Sequence, residues 1–195
     1  MIKQLFVDFD QLAPTERALL THLDRPVTLL TAKAPAALAP TIATAHLTAP
    51  QVAFGGGLVY LPGGRVIHQA ALPTPSLQTL LGAVLTYFPT VAVTYADQHH
   101  QYLAAANRLT RRLALPGTVL SPAQASANPA FACLQVQLVV PNDFLLLPLA
   151  RLLGNLQLAG VQIRRGPAVA GPPQLLITSA KATPAAAISR VAKHQ

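Results

Sequence analysis

Acids are scarce in this chain: six Asp and Glu stand against fourteen Lys and Arg in 195 residues. Charged residues of both signs make up only 10% of it. There is one cysteine, Cys133, which excludes an internal disulfide. Its apolar neighbours across Ala132–Val140 read as the setting of a buried core thiol, and no base that could activate it lies nearby in sequence. Long apolar runs are missing too. None approaches the roughly 18 to 20 residues that span a bilayer. The longest, such as Phe144–Ala150, suit a single strand or a short helix. The first apolar run is cut at once by Asp8 and Asp10, too early for a signal peptide. These absences predict a soluble, cytoplasmic protein with no membrane partner.

What is abundant is apolar material, 52% of the residues, so the composition is that of a folded chain. The length suits one large domain or two small ones with a real core. Eighteen prolines predict many fairly rigid connections. The net charge is +8, but the basic residues are scattered, with small pairs at Arg111–Arg112 and Arg164–Arg165. Without a basic run or interleaved aromatics, the charge reads as a solvated surface that attracts phosphorylated metabolites. It does not predict a nucleic-acid partner.

Periodicity divides the chain. Ile2–Val7, Val27–Thr31 and Gln51–Phe54 are short, apolar and strand-like. Between them, Thr15–Leu23 and the Ala-rich Ala34–His46 have helical character, the second divided or kinked by Pro40. Strands alternating with helices predict an α/β core with a parallel sheet. The run Gly55-Gly56-Gly57 then opens a hairpin, Leu58–Leu61 and Arg65–Gln69, about Pro62-Gly63-Gly64. Apolar residues at 77, 80, 81, 84, 85 and 88 predict a helix over 75–88, capped by Thr74 or Ser76. A second hairpin is expected over Val91–Tyr95 and Gln101–Ala105, then one short helix and much loop over 106–130. Ala132–Val140, Val161–Arg165 and Gln174–Thr178 read as strands. Asn142–Leu156 reads as a helix with an N-cap at Asn142 or Asp143 and an awkward Pro148. Thr183-Pro184 opens a last helix. The predicted organisation is a first domain over 1–70, an α+β block over 71–179, and a helix over 180–195.

Two of the six acids, Asp8 and Asp10, end the first strand two residues apart. In extended chain this spacing puts both carboxylates on one face. They repel unless a hard cation such as Mg²⁺ lies between them. Ligand sites of open α/β sheets lie at the carboxyl ends of the strands, where these acids stand. The same spacing also arises at a solvated loop start in which Asp10 caps the following turn.

The stretch Ile2–Leu12 resembles the first motif of haloacid dehalogenase (HAD)-like phosphatases, an apolar strand followed by Asp-x-Asp-Gly-Thr. Val27–Pro35 is similar to the second, a strand ending in Thr-Gly-Arg-Pro. Val52–Tyr60 is similar to the Thr-Phe-Asn-Gly-Ala-Leu-Val-Tyr segment of the Cof-type subfamily, and the hairpin through His68 to the flap before its cap. Pro173–Ala187 resembles the exit from the cap, where a Lys opens the next helix, here Lys181. The resemblance implies an α/β fold: part of a Rossmann-like parallel sheet with an inserted α+β cap of type IIB.

It also implies a reaction. Asp8 would be the nucleophile that forms an aspartyl-phosphate, and Asp10 the acid and then base. Both would hold Mg²⁺, Asp10 through its backbone carbonyl. Thr31 would bond the transferring phosphoryl group and Lys181 would neutralise it. Ala32, Lys33, Gly55 and Gly56 would line the substrate, a small phosphorylated metabolite. Departures from the pattern are specific. Gln11 and Leu12 replace Gly-Thr, Ala32 and Lys33 replace Gly-Arg, Gly55 replaces Asn, and no Gly-Asp-x-x-x-Asn-Asp occurs through Gln195. Asn142-Asp143 lacks the preceding Gly-Asp and fits a helix cap better. Without the strands that the family core places beyond the first, Ile2–Val7 becomes an edge that predicts homo-oligomerisation, aggregation or a missing segment. His99 and His100 have no companion ligands and read as an exposed hairpin; His22, His46, His68 and His194 show no constellation. The readings to be weighed are a Mg²⁺-dependent phosphatase, an inactive relative with a binding or regulatory role, and an unrelated nucleic-acid-binding module.

Overall fold

The computed structural model describes residues 4–128, 130–166 and 171–194. Ile2 and Lys3, included in the expected first strand, lie outside them, as does Gln195. In chain order the first elements are β1 (Leu5–Asp8), α1 (Pro14–Leu19), β2 (Val27–Leu30), α2 (Ala39–Thr44), β3 (Gln51–Ala53), β4 (Leu58–Tyr60) and β5 (Val66–Gln69). There follow α3 (Thr74–Tyr87), β6 (Ala92–Ala96), β7 (Gln101–Leu103), α4 (Arg108–Arg112), β8 (Thr118–Val119), α5 (Pro122–Ala127) and β9 (Gln135–Val139). The last are α6 (Leu146–Asn155), β10 (Val161–Arg165), β11 (Gln174–Ser179) and α7 (Pro184–Lys193). The chain folds as two units, one from the residues up to Ala70 with those from Lys181 on, the other Ala71–Ala180.

In the first unit, five strands pair in the order β1-β2-β3-β4-β5. The first three run parallel and the last three antiparallel. Val27 and Leu29 on one face pack with Phe9, Leu20, Leu38 and Leu47, flanked by Ile42 of α2. On the other face Val52 and Val59 pack with Ala187 and Val191 of α7, flanked by Phe6, Leu30 and Ile67. A sheet covered on both faces explains why β2 and β3 read as continuous apolar runs. The wholly buried Gln51 completes the joint between them. Its Oε1 accepts the Leu29 N–H at 2.9 Å, and its Nε2 donates to the carbonyls of Val27 and Ala49.

Pro40 divides the helical stretch as expected. A 3-10 turn over Pro35–Ala37 precedes α2, which carries Pro40 in its first turn, where a missing N–H leaves no bond unmade. Thr183 caps α7, its hydroxyl oxygen accepting the Ala186 N–H at 3.1 Å.

In the second unit, six strands run in the order β10-β11-β9-β6-β7-β8. All neighbours are antiparallel except β7 and β8. One face carries Val93, Tyr95, Val136, Leu138 and Ile177 against Leu77, Leu80, Leu81 and Val84 of α3 and Leu149 and Leu153 of α6. Three local expectations change here. Neither Thr74 nor Ser76 caps α3; Pro73 holds that place, and the Ser76 hydroxyl donates instead to the Ala159 carbonyl at 2.9 Å. The stretch 106–130 forms two short helices, capped by Asn107 and Ser121, where one was expected. Asn142 makes no side-chain cap. A 3-10 turn over Asp143–Leu145 leads into α6, placing Pro148 in the first turn of that helix.

Candidate active site

The extended chain stops at Asp8. A carboxylate oxygen of Asp8 accepts the N–H of Asp10 at 3.1 Å, and residues Phe9–Gln11 curl into a 3-10 turn with the Phe9 ring buried. The face-sharing expected of an extended Asp8-Phe9-Asp10 is therefore replaced by a turn. Asp8 is left exposed, while the side chain of Asp10 is only 18% exposed.

That burial requires partners, and the loop after β2 supplies them. Asp10 Oδ1 accepts the Thr31 hydroxyl at 2.8 Å, and Oδ2 accepts the Ala32 N–H at 2.7 Å. The Lys33 ammonium stands 3.8 Å from Oδ1. Thr31 Oγ1 also accepts the Lys33 N–H at 3.1 Å, so one buried hydroxyl serves both loops. The third loop joins by backbone alone: the Gly55 N–H donates to the Thr31 carbonyl at 2.8 Å and the Phe54 N–H to that of Lys33 at 3.0 Å. Phe54 and Gly55 both take left-handed backbone, φ 53° and 63°. Only one of them is a glycine, so the turn at Phe54 carries strain. Gly56 has φ 104°, and a Cβ there would meet the Thr183 carbonyl oxygen at 2.4 Å. The missing side chain lets the start of α7 approach this loop. Lys181 stands exposed two residues before the cap, its carbonyl accepting the Thr183 N–H at 3.1 Å.

Asp8, Asp10, Thr31, Ala32, Lys33, Gly55 and Gly56 thus gather where three parallel strands end, the place at which open α/β sheets bind ligands. The chain before α7 meets this loop where Gly56 packs on Thr183, two residues after Lys181. The donor set suits a hard cation. Asp8 offers an exposed carboxylate with electron pairs to spare, while the Asp10 carboxylate is committed to Thr31 and Ala32. Among the described residues no group of three or more His, Cys, Asp or Glu could hold a metal. Mg²⁺ does not need one, since it keeps several waters and takes one or two carboxylates with substrate phosphate.

Other candidates fall away. His99 and His100 form the turn between β6 and β7, their N–H groups both donating to Asp97 Oδ1 at 2.7 Å. Cys133 is buried, which pushes its thiol pKa up to about 12 and keeps it inert. Asp143 lies in the second unit, paired with Arg165 at 3.2 Å. One grouping was not read from the sequence. His68 and His194 lie beside Arg190 and Lys193 in one cleft, with Arg65 at 3.4 Å from the His194 ring.

No protein-family profile matches the chain, and no curated protein is similar to it. Solved structures are. The HAD subclass IIB sugar phosphatase BT4131 superposes over 99% of this chain and 76% of its own, with TM-score 0.75 and 13% identity. BT1666 from Bacteroides thetaiotaomicron, a HAD-superfamily phosphatase, covers 100% and 73% with TM-score 0.71 and 16% identity. A haloacid dehalogenase-like hydrolase from B. subtilis covers 99% and 79% with TM-score 0.70 and 13% identity. The fold is therefore the HAD-like α/β fold with a cap domain. Its structural neighbours are HAD-superfamily phosphatases, with a subclass IIB sugar phosphatase among them. No helix among the described residues is long and apolar enough to cross a membrane.

Proposed function

We propose that the chain is a phosphatase-type hydrolase that cleaves a phosphomonoester of a small metabolite through an aspartyl-phosphate on Asp8. The observation that carries this reading is the pairing of an exposed Asp8 with a braced Asp10–Thr31–Ala32–Lys33 loop where three parallel strands end.

An Asp8 carboxylate oxygen attacks phosphorus as the ester P–O bond breaks. The leaving oxygen takes a proton from Asp10. Water then attacks the phosphorus of the aspartyl-phosphate, losing a proton to Asp10; phosphate departs and the Asp8 carboxylate returns. In the geometry described, Asp10 faces its own chain's donors, so it turns from Thr31 and Ala32 to reach the leaving oxygen. That turn frees the Thr31 hydroxyl and the Ala32 N–H for the phosphoryl oxygens. Lys33 and Lys181 supply positive charge beside them. Mg²⁺, held by the Asp8 carboxylate and the Asp10 carbonyl, would offset the negative charge of the phosphoryl group.

The second reading, a binding protein without turnover, draws on Gln11 and Leu12 in place of Gly-Thr and on the self-satisfied Asp10 cluster. Hydrolysis of p-nitrophenyl phosphate separates the two. The phosphatase reading expects turnover that requires Mg²⁺ and is abolished in Asp8→Asn. Folded protein without turnover would favour the second.

A further inference from the structure

The last turn of α7 presents Arg190 and Lys193, with His194 directly after it. Facing them across a cleft of ≈180 Å³ are Ile67 and His68 of β5. The Arg65 guanidinium lies outside the lining but beside it, 3.4 Å from the His194 ring nitrogen Nε2. An Arg has only donors to offer, so in this contact the ring nitrogen is the accepting partner. None of these cations forms an ion pair with a carboxylate among the described residues.

Part of this arrangement has a local cause. Cations in the last turn of a helix complement its dipole, which accounts for Arg190 and Lys193. The dipole does not account for Arg65, which comes from another element and brings like charge toward the same space, nor for the His68 ring beside it. Arg65, Arg190, Lys193 and His194 are all exposed, so solvent tempers their repulsion and their charge stays open to an anion from solution. The cleft belongs wholly to the first unit and shares no residue with the site of Asp8 and Asp10.

Size narrows the ligand. The cleft is well below the roughly 300 to 1,000 Å³ of pockets that enclose drug-sized molecules. It suits an inorganic anion or the phosphate end of a larger molecule. Arg65, Arg190 and Lys193 carry fixed positive charge, which a diphosphate balances and a single phosphate does not. Arg guanidinium groups favour the planar, two-point contact that phosphate oxygens offer. No Phe, Tyr or Trp lines the cleft to stack a base.

We propose that the cleft between β5 and the end of α7 is a second anion site, selective for a diphosphate group and separate from the Asp8 site. The ligand places oxygens against Arg190 and Lys193 and accepts hydrogen bonds from Arg65 and the two imidazoles. Burial and the nearby Arg190 lower the pKa of His68, and a bound anion acts in the opposite direction.

The test is a titration of the full chain with inorganic pyrophosphate, followed through the ring signals of His68 and His194 by NMR near neutral pH. EDTA is present, so that Mg²⁺-dependent binding at Asp8 does not contribute. The expected result is saturable movement of both rings, an upward shift of the His68 titration, and tighter binding than orthophosphate. Arg190→Gln and Lys193→Gln each weaken it about tenfold or more, while Asp8→Asn leaves it unchanged. Free pyrophosphate and a lipid-borne diphosphate are distinguished by adding vesicles that carry a diphosphate lipid; capture by either supports the site. No ring movement at millimolar pyrophosphate would overturn the proposal. So would binding unaltered in the Arg190→Gln, Lys193→Gln double variant, or a single-stranded oligonucleotide that binds more tightly than pyrophosphate.

Discussion

At the scale of residues, the site is organised by one short polar side chain. Thr31 is almost fully buried and donates to Asp10 while accepting from the backbone of Lys33. Replacing it with Val keeps the shape and removes both bonds. The Asp10 carboxylate then loses a donor and the Lys33 N–H its acceptor. Thr31→Val is therefore expected to lower stability by about 1–3 kcal/mol in urea denaturation, because buried polar groups are left unpaired. A variant as stable as the parent would show that this bridge is not what holds the two loops. Thr31 was legible in the sequence by its place at the end of an apolar strand. Its bond to Asp10 was not, since the partners lie 21 residues apart. The bend at Asp8 was not legible either: Asp-Phe-Asp after a strand fits an extended chain and a capped turn equally well. The packing of Phe9 into the core decides for the turn.

At the scale of elements, agreement between sequence and structure follows the strength of the local signal. The helix α3, with its clean apolar spacing, and the hairpin of β4 and β5 about Pro62-Gly63-Gly64 lie where the pattern places them. So does α7 with its Thr-Pro start. The α4 to α5 region was ambiguous because its helices are short and carry few apolar residues. Their signals were the caps, Asn107 three residues before Thr110 and Ser121 three before Gln124. The basic cleft was half-visible: Arg190, Lys193 and His194 fall at helical spacing on one face. Its other half lies more than a hundred residues away, and only the packing of α7 on the sheet joins the two. The glycine run reads differently in three dimensions. In sequence it opens a hairpin, and in the structure Gly56 is also the point at which the third loop meets the cap of α7. Gly56→Ala combines a left-handed backbone with a Cβ driven into the Thr183 carbonyl. It is expected to lower stability by about 2 kcal/mol or more in the same assay. An unchanged midpoint would contradict the close approach.

At the scale of the whole molecule, β1 lies at the end of its sheet, with one side unpaired among the described residues. The strand is short, and its exposed end carries Asp8, which tempers the tendency of open edges to pair. Partner strands remain the simplest way to satisfy its free backbone groups. We expect gel filtration of the chain to show concentration-dependent self-association. A monomer of 20.5 kDa at every concentration would contradict this. The fold itself fixes no reaction, because the same architecture hosts many. The proposal of phosphoryl transfer rests on the chemistry gathered at one end of the first sheet. It consists of one exposed carboxylate and a second held by a hydroxyl, an N–H and an ammonium.

That account is tested most directly by catching the phosphoryl group. Protein mixed with a phosphomonoester and Mg²⁺, quenched in acid within a single turnover and digested, is expected to carry a phosphoryl adduct on the peptide containing Asp8, and none in Asp8→Asn. Phosphate released at full rate by Asp8→Asn, or an adduct mapped to any other residue, would contradict it.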